Sequence, residues 1–253
     1  MECKIIIDSV NKKFRRDYKK NEGILARLLS FLNENDKIEF NALKNISFKV
    51  NEGEIFGVIG KNGSGKSTLL RVIAGIYKPD SGSIKTRGEI VYLTGFDHGL
   101  QRKLTMRENI YLLGILRGLS KKEINEKFDE IVDFSGLREY LDAKVYQFST
   151  GMINRLSFSI TFFCIVHKNP GIILIDEVFG VGADIDFREK SLKKMEELIK
   201  KGSSVILASH DLELIKKYCD KVIWLDNGYI VKIGKGEEII NHYMKSENSM
   251  INI

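Results

Sequence analysis

The segment Gly60-Lys61-Asn62-Gly63-Ser64-Gly65-Lys66-Ser67-Thr68 constrains this chain more than any other. It fits G-x-x-x-x-G-K-[ST], follows the apolar run Ile55 to Ile59 and precedes a helix-like run, Leu69 to Gly75. A near-continuous apolar run of that length is expected of a central strand in a parallel sheet. Glycines let consecutive backbone N–H groups converge on phosphate oxygens, and the helix N-terminus adds a favourable dipole. Lys66 is then expected to bridge the β- and γ-phosphates, and the Ser67 hydroxyl to ligate Mg²⁺. The alternative is a glycine-rich turn matching by chance. It has to account for nine consecutive fitting residues in the required strand–helix context.

A second carboxylate-bearing site ends the apolar run Ile172 to Ile175, at Asp176-Glu177. Such a strand end emerges at the sheet's carboxyl edge, where open α/β folds bind ligands. Asp176 is expected to hold the Mg²⁺ shell, and Glu177 to orient and partly deprotonate an attacking water. Many buried strands end in acids, so the pair takes its meaning from the phosphate loop. Two further pieces follow in order. Phe148-Ser149-Thr150-Gly151-Met152 places Ser149 27 residues before Asp176 and leads into Leu156 to Val166, which reads as a helix buried on most faces. His210, in Ser209-His210-Asp211, comes 33 residues after Glu177 and follows a buried run. Alone, Ser-Thr-Gly reads as a cap and turn, and a His after a strand reads as structural.

The remainder of the chain alternates strand and helix signals. Lys4 to Val10 reads as a strand, and Ile46 to Val50 as a half-buried one turned by Asn51-Glu52-Gly53. Val205 to Ala208 and Val222 to Leu225 read as buried strands. Asn227-Gly228 then signals a hairpin into Tyr229 to Ile233. Between Thr105 and His167 the period becomes helical, as it does again over Phe187 to Lys200 and Glu237 to Lys245. With 43% hydrophobic and 29% charged residues over 253 positions, the chain has enough apolar content for a core. Its longest apolar stretch, Ile160 to Val166, falls far short of a bilayer span. The start, Met1-Glu2-Cys3-Lys4-Ile5, has no basic region ahead of a hydrophobic core, so no secretory signal is expected. Cysteines at 3, 164 and 219 form neither a disulfide framework nor a zinc spacing, which fits the reducing cytoplasm.

The net charge of +6 is local. Lys12, Lys13, Arg15, Arg16, Lys19 and Lys20 stand against Asp17 alone between Asn11 and Lys20, whereas the rest has 34 bases and 33 acids. A basic domain of the kind that binds nucleic acid is therefore not expected. The basic run precedes Gly23 to Leu32, where Ile24, Leu28, Phe31 and Leu32 share a helical face. Such a pairing reads either as contact with an anionic membrane surface or membrane protein, or as a short helix on its own core beside a solvated run.

In the order of these motifs the chain resembles ATP-binding-cassette (ABC) ATPases over nearly its whole length. Within that family it is most similar to the ATPase subunits of bacterial exporters of teichoic acid, O-antigen or capsule. The shared features are the signature Phe148 to Met152, the segment Leu104-Thr105-Met106-Arg107-Glu108-Asn109-Ile110, and Asp176-Glu177-Val178-Phe179-Gly180-Val181-Gly182. In the last, Ala183 intervenes before Asp184 as a one-residue insertion relative to the group's Val-Gly-Asp. The resemblance implies an α/β P-loop NTPase fold of the ABC type, with a mainly parallel core sheet, an N-terminal antiparallel β portion and a helical subdomain insert. It implies one ATPase domain over 1–253: a nucleotide-binding core from 1–100 and 167–245, a helical subdomain at 104–166, and a basic, amphipathic insert at 11–39.

The resemblance further implies a second copy of the chain, paired head to tail, with each ATP held between one phosphate loop and the other copy's signature. Gly60, Lys61, Asn62, Gly63, Ser64, Gly65, Lys66, Ser67 and Thr68 would then bind ATP. Phe148, Ser149, Thr150, Gly151 and Met152 would act on the partner's γ-phosphate. His210 would hold the γ-phosphate and the water, Asp184 would lie at the dimer seam, and Phe14 would stack on adenine unless it is plain core packing. A polytopic membrane permease would dock near Arg107 to Phe134, at the cytoplasmic face of the membrane. The glutamine usual at the end of the strand after the first helix is missing near Phe96. Thr94, Asp97, His98 and Gln101 remain as candidates, and Asp97 is chemically the best oxygen ligand for Mg²⁺. The implied function is ATP-driven export of a lipid-linked polysaccharide. A lipid or drug exporter, or a soluble ATPase acting on ribosomes or DNA, is the alternative; soluble relatives usually carry tandem cassettes or long coiled coils. At 253 residues no substrate-reading appendage is expected.

Overall fold

The computed structural model describes residues 2–17, 37–94, 99–168, 170–177, 185–200 and 202–251. The apolar strand ahead of the phosphate loop, β3 (Ile55–Ile59), lies in the middle of a six-stranded sheet. On one side it pairs in parallel with β7 (Ser204–Ala208), followed by β6 (Ile172–Asp176) and β5 (Ile90–Thr94). On the other side it pairs in parallel with β8 (Lys221–Asp226), which turns through Asn227-Gly228 into the antiparallel edge strand β9 (Tyr229–Lys235). A second sheet of three antiparallel strands has β1 (Cys3–Asp17) between β2 (Lys37–Asn51) and β4 (Ser81–Thr86).

Strand parity separates two cores. Ile172, Leu174, Ile206, Ala208, Phe56 and Val58 face α1 (Lys66–Ile73) and the three-stranded sheet. Ile173, Ile175, Val205, Leu207 and Ile59 face the opposite way, toward a larger helical layer. That layer holds α2 (Met106–Leu116), α3 (Lys121–Ser135), α4 (Thr150–Lys168), α5 (Ile185–Lys200), α6 (Leu212–Tyr218) and α7 (Gly236–Ile251). Phe134 ties it together, with ring centroids 6.0 Å from Phe158 and Phe162, 5.8 Å from Phe163 and 5.5 Å from Phe187. Offset and edge contacts at such distances stabilise beyond area burial. The expected helical character between Thr105 and His167 is thus observed, and no helix among the described residues is long and apolar enough to cross a membrane.

The Leu104 to Ile110 segment has a structural explanation. Thr105 caps α2 and exchanges hydrogen bonds with Glu108 in a capping box, satisfying backbone donors at the helix start. Asn109 is fully buried and clamps the preceding loop. Its Oδ1 accepts from Gln101 N at 2.7 Å, while Nδ2 donates to Gln101 O at 3.0 Å and Thr105 O at 2.8 Å.

Two elements differ from the sequence reading. β4 carries no apolar alternation (Ser-Gly-Ser-Ile-Lys-Thr) and is held by main-chain pairing to β1. β1 runs on to Asp17, beyond the Lys4 to Val10 stretch read as strand, so the basic run is part of the ladder as far as Asp17. Lys12 lies 3.1 Å from Asp80, and Arg15 lies 2.8 Å from Glu39 across the ladder. The amphipathic stretch Gly23 to Leu32 lies outside the described residues. Replacing Asn109 by Leu keeps the volume but strands the loop's backbone groups. Urea unfolding is expected to show a loss of about 2–3 kcal/mol.

Candidate functional site

The register brings separate parts of the sequence to one sheet edge. Thr94 pairs with Asp176, Asp176 with Ala208, and Ala208 with Val58. Gly60 begins the loop two residues beyond Val58, and His210 follows two residues beyond Ala208. The loop and the acidic strand end therefore converge at the carboxyl edge of the parallel sheet, as open α/β folds require of a ligand site.

The loop conformation depends on its glycines. Gly60 has φ 147°, and a Cβ there would lie 2.2 Å from Leu225 O. Gly65 has φ 112°, and a Cβ would lie 2.7 Å from Ala42 O. Gly65 also caps α1 without a side-chain acceptor, which leaves the first N–H groups of the helix for an anion. The β8–β9 turn supports the loop from behind. Gly228 N donates to Ser64 O at 3.0 Å, and Lys44 N donates to Gly228 O at 2.8 Å. The hairpin read from the sequence thus connects the phosphate loop to the N-terminal sheet.

Lys66 is 5% exposed, and its ammonium donates to Gly60 O at 2.8 Å and Lys61 O at 3.1 Å. The Glu177 carboxylate stands 3.7 Å from the same nitrogen. Glu177 adopts φ 54°, a left-handed conformation that is costly for a non-glycine residue, while its N–H donates to Ala208 O at 2.9 Å. Ser67 Oγ donates to Asp176 Oδ1 at 2.9 Å, and Tyr92 Oη donates to Asp176 Oδ2 at 2.8 Å. Burial and the hydrogen bond to Asp176 push the Tyr92 phenol up to about 12, so it is a proton donor throughout the neutral range. The pKa of Arg71, one turn after Ser67, is raised by the nearby phenols of Tyr92 and Tyr77.

The structure therefore brings Lys66, Ser67, Asp176 and Glu177 together and places His210, exposed, at the end of the strand next to Asp176. Phe14 stands apart in an aromatic cluster, 5.6 Å from Phe40 and 5.2 Å from Tyr77, with the Lys12 ammonium 5.4 Å from its ring centroid. Ser149 caps α4: its Oγ accepts from Met152 N at 3.3 Å, while Ser149 and Thr150 are exposed. Phe148 is buried against Tyr140. Asp97, His98 and Asp184 lie outside the described residues; Gln101 is exposed, with its backbone tied to Asn109. Tyr92, Arg71 and the bracing role of Gly228 were not read from the sequence.

A parallel sheet with this loop and acidic strand end on one edge is the architecture of a P-loop nucleotide-binding protein. The family model for the ABC transporter matches residues 43–180, and the chain belongs to that family. It is 41% identical over 244 residues to the teichoic acids export ATP-binding protein TagH of Lactococcus lactis, covering 96% of this chain and 51% of that protein. It is 39% identical over 208 residues to the O-antigen export system ATP-binding protein RfbB of Klebsiella pneumoniae, covering 82% of each. It spans about half the length of the Lactococcus lactis relative and 56% of the RfbB of Myxococcus xanthus, to which it is 36% identical. Among solved structures, the ATP-binding subunit of an ABC transporter superposes with a TM-score of 0.71 at 23% identity, over 95% of this chain and 93% of that one. The dimeric ATP-binding cassette MJ0796 bound to ADP and Pi gives 0.69 at 23% identity, over 91% and 98%. The fold is that of the ABC ATPase cassettes.

Gly228 has φ 80°, and a Cβ there would lie 2.8 Å from Ala42 O. Gly228→Ala is expected to lose about 1–3 kcal/mol in urea unfolding, together with nucleotide affinity. Asn227→Gly, at φ 47°, is expected to be tolerated in the same assay.

Proposed function

We propose that this chain is the ATP-hydrolysing subunit of a bacterial exporter of lipid-linked polysaccharide, of the teichoic-acid, O-antigen or capsule type. It works as a head-to-tail pair with a second copy, at the cytoplasmic face of the membrane, against a separate polytopic permease. The observation that carries the reading is the convergence of Lys66, Ser67, Asp176 and Glu177 on one strand edge, in a chain akin to exporter subunits.

In this reading the loop from Gly60 to Thr68 wraps the phosphates with backbone N–H groups, and buried Lys66 offers its charge where screening is weak. Ser67 Oγ and Asp176 Oδ1 are hard oxygen donors set side by side, the chemistry Mg²⁺ prefers. No cluster of three His, Cys, Asp or Glu side chains among the described residues offers a softer or larger metal site. When bound, Mg²⁺ supplies neutralisation of the charge on the β- and γ-phosphates. Ser67 and Asp176 would hold it, and Asp97 is a further candidate ligand.

Glu177 orients the attacking water and takes its proton, its strained backbone directing the carboxylate toward the Lys66 side of the site. His210 holds the γ-phosphate and the water from the adjacent strand end. Phe14 provides the adenine platform, with Phe40 and Tyr77 fixing its ring. Ser149 and Gly151 offer the N-terminus of α4 to the partner copy's γ-phosphate, Phe148 anchors that helix start in the core, and Asp184 lies at the seam. The core, helical and 11–39 segments act as one ATPase unit. The permease docks over 107–134, where Ile115 and Leu116 stand exposed at the end of α2, and the 11–39 segment contacts the membrane subunit or anionic headgroups.

Glu177→Gln is expected to slow ATP hydrolysis by about 10²–10⁴-fold, with ATP affinity kept. Hydrolysis at the parent rate would remove Glu177 from the reaction. Lys66→Ala is expected to lose nucleotide binding in a titration with fluorescent ATP, and unaltered binding would contradict the placement of the phosphates.

A further inference from the structure

We infer that Tyr92 is a positioning residue for metal binding: its phenol fixes the Asp176 carboxylate so that Oδ1 faces Ser67. The inference rests on the reading of Ser67 and Asp176 as the metal-holding pair and adds the device that orients them.

Tyr92 pairs with Leu174 on the adjacent parallel strand, and Asp176 is two residues beyond Leu174, so Tyr92 and Asp176 project to the same face. That face is the one packed by α1, as the burial of Ile172, Leu174 and Leu69 on it shows. Neighbouring strands lie about 4.8 Å apart and each residue rises about 3.3 Å, so this diagonal is about 8 Å, beyond the reach of a short side chain and within that of a phenol. The observed bond spans the gap at 2.8 Å.

Both carboxylate oxygens are consequently assigned. Oδ2 is occupied by Tyr92, whereas Oδ1 meets Ser67 at 2.9 Å. Without the phenol the carboxylate could turn about its Cβ–Cγ bond and present either oxygen, or both. Mg²⁺ demands near-ideal octahedral geometry and tolerates misplaced ligands poorly, so a fixed oxygen matters more here than at a site for a larger cation. Arg71 lies four residues after Ser67, on the same face of α1, and the phenols of Tyr92 and Tyr77 raise its pKa. Partners of this kind, one bond removed from the metal, are commonly worth about 10–100-fold in metal affinity.

The test is a titration of the purified chain with a fluorescent ATP analogue, in EDTA and over a range of Mg²⁺ concentrations, with thermal melting recorded for each variant. Tyr92→Phe keeps the ring and removes only the hydroxyl. Its nucleotide affinity in EDTA should equal the parent's, while the Mg²⁺ concentration for half-maximal enhancement of binding should rise about tenfold. An unchanged Mg²⁺ midpoint, or an equal loss with and without Mg²⁺, would overturn the inference, the second by showing a merely structural role. Asp176→Asn separates the layers. If it abolishes the Mg²⁺ enhancement while Tyr92→Phe leaves it intact, the metal site stands and the role of Tyr92 falls. If Asp176→Asn itself leaves the enhancement unchanged, the metal-site reading fails, and the inference with it.

Discussion

The Asp176 carboxylate is the point at which the separate layers of this molecule meet. It accepts from Ser67 at the start of α1 and from Tyr92 on the edge strand β5. Its strand pairs with the one before His210, and its neighbour Glu177 reaches toward Lys66. A slip of one residue in β6 would turn Asp176 to the opposite face of the sheet and leave Ser67 and Tyr92 without it. The all-apolar strand Ile172 to Ile175, buried on both faces, supplies the packing that makes such a slip costly.

The phosphate loop is held just as firmly from behind. Gly228 lies between the loop and β2, so the β8–β9 hairpin, the N-terminal sheet and the loop constrain one another. The signature segment belongs to a different body of packing. Ser149 caps a helix whose aromatic side chains join Phe134 and Phe187 in the helical layer, and Phe148 anchors its start. Among the described residues, no hydrogen bond joins Phe148 to Met152 with the loop from Gly60 to Thr68. In the proposed reading this separation is functional, because each phosphate chain is enclosed by two copies.

Much of this was legible in the sequence, for identifiable reasons. The loop, the acidic strand end and the central strands announce themselves because their chemistry and burial require particular residue types in consecutive order. The Asn227-Gly228 turn was equally plain, although its bracing of the loop depends on a tertiary contact that no local pattern encodes. Tyr92 was hidden for the same reason. A tyrosine in Ile-Val-Tyr-Leu-Thr reads as ordinary strand, and only the register with β6 shows that it shares a face with Asp176. β4 escaped because Ile84 alone among its residues packs against the core, and main-chain pairing to β1 holds the rest in place. The basic run carries no strand pattern of its own, and only the ladder to β2, with Arg15 opposite Glu39, shows that it continues β1.

The central claim, that one chain carries half of each ATP site and a second copy the other half, is tested most directly by sedimentation of the Glu177→Gln protein with ATP. The account predicts a dimer that dissociates when Ser149→Arg is added to the same chain, with ATP binding by the monomer retained. A monomer in both cases, or a dimer indifferent to Ser149→Arg, would contradict it.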